Sequence, residues 1–241
     1  MSSSAVPHVN SEVVRHSPAA RSIREVVFGV NDGLVSITGL VVGVTASNMS
    51  SHQILIAAIA AVVAATVAMA LGQYLATTAQ NEYFLAERSR EMQEVHEVPH
   101  EEIAEVEGIY RAQGFSKEQV EMLTKHITAD KDRWVDFMMK EELGIMLENL
   151  DHPWRSAFIM GGAVILGSLP AVLPYLLIAQ THVALLWAIV LAVLAAFGLG
   201  VLKAKVGKTS WAKGGAQFLL VTAVAIAVGI FAGHGLAALL A

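Results

Sequence analysis

The chain has no cysteine among its 241 residues, which excludes disulfides, thiolate metal sites and thiol nucleophiles. Its first ten residues are small and polar, so they lack the apolar core of a cleavable signal peptide. The sequence also lacks a glycine-rich phosphate loop, a nucleophile elbow and a nucleic-acid-binding module. We therefore expect a protein that is not an enzyme and that has no nucleic-acid partner.

Charge is absent from several long stretches. The chain is 55% hydrophobic, which is too apolar for an ordinary soluble domain. Its uncharged runs reach the roughly 20 residues that a membrane helix needs. We predict an all-α membrane protein with five transmembrane helices in a lipid bilayer. The expected divisions are a flexible N-terminal tail, spans one and two, an acidic cytoplasmic insert, and spans three to five: residues 1–23, 24–79, 80–153 and 154–241.

The insert between spans two and three contains most of the acidic residues. It holds 18 of the 21 Asp and Glu against eight of the 16 Lys and Arg. Span two has no charge until Glu82, a distance longer than a bilayer core of about 30 Å, so we expect its helix to continue into the insert. Carboxylates gathered in this way predict a domain that handles cations.

Basic residues set the expected orientation. Segments rich in Lys and Arg stay in the cytoplasm under the positive-inside rule. All eight basic residues outside the insert fall on one side of the five-span arrangement: Arg15, Arg21, Arg24, Arg155, Lys203, Lys205, Lys208 and Lys213. The N-terminus and the insert are therefore expected in the cytoplasm. Because no targeting segment is visible, we expect a bacterial plasma membrane.

The first span, predicted over residues 26–46, contains Asp32, and we expect no other acid inside any span. Burying a carboxylate in a membrane helix is costly, so such residues usually mark ion or proton pathways. The alternative is a packing helix in which the Asp32 carboxyl bonds a neighbour. Glycines spaced i,i+4 in this span favour close helix packing: Gly29, Gly33, Gly39 and Gly43.

The insert is predicted to contain three helices. The first continues span two to about residue 96, and the second runs from Pro99 to Gly114. The third starts at Ser116, whose Ser-Lys-Glu-Gln pattern fits a capping box, and extends to about residue 149 with a break near Asp130.

Acidic residues share helix faces in the insert. The groups spaced i,i+3, i,i+4 or i,i+7 are Glu87 with Glu91 and Glu94, Glu102 with Glu105, and Met138 with Glu142. A divalent cation would relieve the repulsion between like charges, and a thioether beside carboxylates favours a transition metal over Mg²⁺ or Ca²⁺. The alternative is a solvated acidic surface that aids solubility.

Histidines are further candidate ligands: His96, His100, His126 and His152. The Glu-x-x-His pattern of di-iron proteins occurs only at residues 97–100, where Pro99 interrupts it. A membrane ferroxidase is therefore not favoured.

Three motifs, in order, resemble the vacuolar iron transporter (VIT) family: residues 28–34 (FGVNDGL), 68–75 (AMALGQYL) and 136–144 (DFMMKEELG). The resemblance covers nearly the whole chain beyond the N-terminal tail. It implies a homodimer that exports Fe²⁺, and often Mn²⁺, from the cytosol in exchange for protons. Zn²⁺ is a further candidate for the bound and transported ion. The resemblance also implies that Asp32 and Met69 line the transport pathway. The implied metal ligands of the insert are Glu91, Glu94, Glu102, Glu105, Met138 and Glu142.

Two positions depart from this family. Plant members carry a glutamate where this chain has Ala61, and many bacterial members carry one where it has Gln73. Asp32 is then expected to serve both metal binding and proton coupling. A membrane-anchored iron store or sensor, without transport, is the alternative function.

Overall fold

The computed structural model describes residues 16–46, 49–146 and 150–240. Within these ranges the chain forms eight helices and no strand. In chain order they are α1 (His16–Thr45), α2 (Ser51–Glu97), α3 (Pro99–Ala112), α4 (Lys117–Thr128), α5 (Lys131–Glu141), α6 (Pro153–Leu177), α7 (Thr181–Val206) and α8 (Trp211–Leu240). Helix α1 begins inside the segment predicted as a tail, and residues 1–15 of that segment lie outside the described ranges.

Five of these helices are long and apolar enough to cross a membrane, as predicted: α1, α2, α6, α7 and α8. The first candidate span is Ser22–Thr45, which is longer than the predicted 26–46 at its N-terminal end. It therefore contains Glu25 as well as Asp32, so the prediction that Asp32 is the single acid in a span was wrong. Two prolines, Pro170 and Pro174, lie inside α6.

The chain divides into two compact units. One consists of residues 1–74 and 153–241, and the other is Leu75–His152, close to the predicted insert at 80–153. Helix α2 is continuous through this division. Its 47 residues give a length of roughly 70 Å at about 1.5 Å per residue, which agrees with the prediction that the helix outruns the bilayer.

Glycines bring the membrane helices of the first unit together. A Cβ atom added to Gly33 would lie 2.2 Å from the Val164 carbonyl oxygen of α6, and one on Gly167 would lie 2.1 Å from the Val30 carbonyl oxygen of α1. Further along α1, a Cβ atom added to Gly43 would lie 2.9 Å from the Gly229 carbonyl oxygen of α8. Helix α1 therefore packs closely against both α6 and α8, which the glycine spacing predicted.

The second unit contains the end of α2 together with α3, α4 and α5. The predicted third helix is two helices, because the Asp130 side chain accepts a hydrogen bond from the Arg133 N–H at 2.9 Å and caps a new helix, α5. The capping box at Ser116 is present as predicted. Helix α5 ends at Glu141 rather than near residue 149, and Gly144 follows with a φ of 67°. Residues 147–149 lie outside the described ranges.

Asn81 connects the two ends of this unit. Its side-chain amide donates to the Asp151 carbonyl oxygen at 2.8 Å. A hydrophobic core fills the space between the helices and includes Val95 of α2, Val106 of α3 and Met138 of α5. Because the unit has its own core, the positions of its acidic side chains are fixed by helix packing within the unit.

Candidate metal sites in the insert and the membrane helices

The insert core positions the acidic side chains by simple helical spacing. Glu91 lies one turn before the core residue Val95, and Glu102 lies one turn before the core residue Val106. Residues i and i+4 share a helix face, so α2 and α3 each bring a glutamate to the same side as a core residue. Helix packing therefore directs both carboxylates towards the inside of the unit.

Both of these glutamates are buried. Glu91 is 2% exposed and Glu102 is 5% exposed, which is rare for a carboxylate unless it is paired. In each of them the Oε2 atom is buried and has no hydrogen-bond partner. A buried polar atom without a partner loses its hydrogen bonds to water and gains none from the protein, which costs free energy. A bound cation would give both oxygen atoms the partner that they lack.

Three more glutamates act on this pair. The charges of Glu94, Glu105 and Glu142 all influence both Glu91 and Glu102. The carboxyl groups of Glu105 and Glu142 also lie within hydrogen-bond reach of each other. The structure thus brings together five glutamates from three chain segments: α2, α3 and the residue that follows α5.

Glu102 shows most clearly what this grouping does. Burial, followed by the charges of Glu105, Glu91, Glu94 and Glu142, raises the pKa of Glu102 to about 7 from its usual 4.5. Burial disfavours the ionised form of the Glu102 carboxyl, and the neighbouring negative charges repel it, so both causes raise its pKa. Near neutral pH the Glu102 carboxyl is therefore divided between its protonated and ionised forms.

Arg90 provides positive charge at the edge of the group. Its Nη2 atom lies 3.1 Å from Glu87 Oε2 and 3.7 Å from Glu91 Oε1, and its Nε atom lies 3.7 Å from Glu94 Oε2. The Arg90 side chain is 54% exposed, so the ion pairs are screened by water. One guanidinium does not neutralise five carboxylates, so the group keeps a net negative charge.

Met138 is fully buried in the insert core. Its carbonyl oxygen accepts a hydrogen bond from the Glu142 N–H at 3.0 Å, so the two residues are adjacent on one turn, as predicted. The Met138 thioether is buried in the insert core, one helical turn before Glu142 in the chain. In the part of the chain that the structure describes, no three acidic or histidine side chains are already arranged around one metal position.

The four candidate histidines do not belong to this group of glutamates. His96 Nδ1 lies 3.2 Å from Lys131 Nζ, a pairing that suits neutral imidazole as the acceptor. His100, His126 and His152 are exposed.

A second polar site lies between two membrane helices. The Gln73 side chain of α2 donates a hydrogen bond to Glu25 Oε1 of α1 at 3.2 Å, and Glu25 is 5% exposed. The sequence prediction missed Glu25 because the adjacent Arg24 suggested that the span began after it. The i,i+7 spacing from Glu25 to Asp32 was the signal that could have identified it.

The hydrogen bond between Gln73 and Glu25 shows which positions of α1 and α2 lie at the same level. Asp32 follows Glu25 by seven residues on nearly the same face of α1, about 10 Å further along. Met69 precedes Gln73 by one turn of α2, about 6 Å away on the same face. Asp32 and Met69 are both half-buried, and both lie further into their spans than the hydrogen-bonded pair.

The chain is similar to proteins of a known family. The family model described as the VIT family matches residues 23–234. The chain is 33% identical over 189 residues to "Vacuolar iron transporter 1" of Arabidopsis thaliana, covering 78% of this chain and 76% of that protein. It is 32% identical over 212 residues to "Vacuolar iron transporter 1" of Eucalyptus grandis, covering 88% and 85%. These relatives are named as transporters, in agreement with the prediction that the chain is not an enzyme.

Proposed function

Because this chain belongs to the VIT family, we propose that it exports Fe²⁺ from the cytosol across the membrane that its five helices span. The observation that best supports this function is the insert's group of five glutamates, two of them buried with unpartnered oxygen atoms. A bound cation would pair the unpartnered oxygen atoms and relieve the repulsion among the five carboxylates. The relatives' names specify iron as the ion, and Mn²⁺ and Zn²⁺ are further candidates on ligand chemistry.

The insert collects the metal in this proposal. Glu91, Glu94, Glu102, Glu105 and Glu142 supply carboxylate oxygens, and the Met138 thioether supplies a softer ligand. Fe²⁺ replaces the proton on Glu102 and neutralises the repulsion within the group. Because metal ligands must be deprotonated, loading is favoured at the neutral to slightly alkaline pH where Glu102 ionises.

The membrane step uses Asp32 and Met69, with Glu25 as an additional carboxylate two turns nearer the N-terminus of α1. Metal that enters the membrane helices from the cytoplasmic side meets the Glu25–Gln73 pair first and then the Asp32 carboxylate two turns deeper. Protons moving in the opposite direction protonate these carboxyls and lower their metal affinity, which gives proton antiport. With Glu25 in the span, Asp32 no longer has to serve metal and proton alone.

We also propose that the chain works as a homodimer built on α2. Small residues repeat every four positions along its membrane-spanning part and all are exposed: Ala60, Ala64, Ala68 and Gly72. Such spacing lets two membrane helices approach closely. A second copy packed on this stripe would also bring the Met69 residues of both subunits near one another.

The orientation in this proposal follows from the basic residues, which place the N-terminus and the insert in the cytoplasm. The relatives are eukaryotic proteins named for the vacuole, so they give no support to the expected bacterial plasma membrane. The chain is a multi-pass membrane protein in either location.

Fe²⁺ uptake into sealed proteoliposomes tests this function against a metal store. An Fe²⁺-quenched dye is trapped inside, and wild-type protein is compared with Glu102→Gln and with the exposed-residue control Glu101→Gln. We expect rapid quenching for the wild type and the control, and slower quenching for Glu102→Gln. Metal that binds to the wild-type protein but never reaches the trapped dye would identify a store or sensor instead.

A further inference from the structure

A groove between α1 and the ends of α7 and α8 has polar and apolar parts. It has a volume of about 750 Å³, and its polar end is formed by Arg24, Lys203 and Gln217. The remainder is mainly apolar and includes Val27, Phe28 and Val221, with Asn31 as a further polar residue. Within the membrane-spanning unit, this is a pocket with two cations at one end and a mainly hydrocarbon surface along the rest.

The two cations at this end are available to a ligand. Lys203 Nζ donates to Gln217 Oε1 at 3.4 Å and lies 5.7 Å from the centroid of the Phe218 ring. Both Arg24 and Lys203 are exposed. Among the described residues, neither forms an ion pair with a carboxylate. Glu25, the acid nearest to Arg24 in sequence, is instead buried and bonded to Gln73.

The groove continues along the membrane helices. A second, almost wholly apolar pocket of about 650 Å³ shares Leu220 and Val221 with the first and extends along α1 and α8 to Gly39 and Gly229. There the two helices touch, because a Cβ atom on Gly229 would lie 2.4 Å from the Gly39 carbonyl oxygen. From Arg24 to Gly39 the groove extends roughly 22 Å along α1. That length exceeds the about 15 Å of one leaflet's hydrocarbon.

We propose that this groove binds an anionic phospholipid. Its phosphate pairs with Arg24 and Lys203 at the membrane surface, Gln217 bonds the headgroup, and one acyl chain lies along Val27, Phe28 and Val221. Basic pockets between membrane helices on the cytoplasmic side suit anionic headgroups. The basic residues around the junction of α7 and α8, which are Lys203, Lys205, Lys208 and Lys213, put this end on that side by the positive-inside rule.

Native mass spectrometry of the full-length protein in detergent tests this site, with phosphatidylglycerol and phosphatidylcholine added in parallel. The variant Arg24→Gln/Lys203→Gln removes both cations, and the control Lys205→Gln/Lys213→Gln removes two exposed lysines, one near the end of α7 and one near the start of α8, that do not line the groove. A third variant, Val221→Trp, fills the apolar part without changing charge. Unchanged thermal stability of each variant establishes that it is folded.

We expect wild type to retain phosphatidylglycerol in preference to phosphatidylcholine. The double groove variant should bind phosphatidylglycerol on the order of tenfold more weakly, whereas the control pair should match wild type. Val221→Trp should lose bound lipid despite its intact charge. Equal retention of the two lipids, or an equal loss in the control pair, would refute the site. A loss of the dimer rather than of lipid in the groove variants would assign the groove to a second copy and refute it as well.

Discussion

Replacing Glu102 by glutamine should stabilise the metal-free insert while weakening its metal binding. The pKa of Glu102 rises from 4.5 to about 7 on folding. A carboxyl with a raised pKa in the folded state loses stability as the pH increases from the lower value through the higher one. A shift of about 2.5 units corresponds to a penalty of about 3 kcal/mol once Glu102 is ionised. Glutamine keeps the shape of the protonated acid and cannot ionise.

The expected advantage of Glu102→Gln is therefore about 3 kcal/mol at pH 8 and less than about 1 kcal/mol at pH 5. Hydrogen–deuterium exchange of the full-length protein with a chelator present measures it, using peptides from residues 103–112. At pH 8, exchange in this region should be roughly a hundredfold slower than in wild type. Adding Fe²⁺ should protect the wild type more than the variant.

The exposed residue Glu101 provides the control for this experiment. Glu101→Gln removes the same charge from the same turn of α3, and it should leave the exchange rate nearly unchanged. If Glu102→Gln exchanged at the wild-type rate at pH 8, or if its advantage were equal at pH 5 and pH 8, burial would not be what raises the Glu102 pKa.

Three further predictions concern the membrane helices. Gly33→Ala should destabilise the protein by about 1–3 kcal/mol, because its Cβ would lie 2.2 Å from the Val164 carbonyl oxygen; Gly162→Ala, which meets no atom within 4 Å, should retain the wild-type melting temperature. Ala64→Phe should shift the protein from dimer to monomer in analytical ultracentrifugation, whereas Leu186→Phe on the exposed face of α7 should not; a dimeric Ala64→Phe protein would argue against the α2 interface. Glu25→Gln should slow Fe²⁺ uptake by roughly tenfold, whereas Gln73→Met, which removes only the amide, should retain most of it; equal uptake by Glu25→Gln and wild type would exclude Glu25 from the pathway.

The membrane architecture could be predicted because it depends on local composition. Uncharged runs of sufficient length predicted five spans, and the structure has five candidate helices. The capping box at Ser116 and the break near Asp130 were also predicted, because a cap is made by side chains within a few residues of each other.

The burial of individual acids could not be predicted, because it depends on contacts between distant segments. Glu102 and Glu105 share one helix face in the sequence, yet Glu102 is buried and Glu105 is exposed. In the sequence, Glu25 has the position of a residue at a membrane surface. In the structure it is bonded to Gln73 of α2, which is 48 positions away in the chain. Sequence spacing paired acids within each helix, and the family resemblance implied which of them act together. Tertiary packing determined which members lose contact with water.

The central claim is that Fe²⁺ crosses the membrane by way of Asp32 in exchange for protons. Its most direct test is simultaneous measurement of Fe²⁺ entry and internal pH in proteoliposomes that contain wild type or Asp32→Asn. We predict that the wild type takes up Fe²⁺ while protons leave the vesicle interior, and that both fluxes are lost together in Asp32→Asn. Fe²⁺ uptake at the wild-type rate in Asp32→Asn, or wild-type uptake with no change in internal pH, would contradict the account.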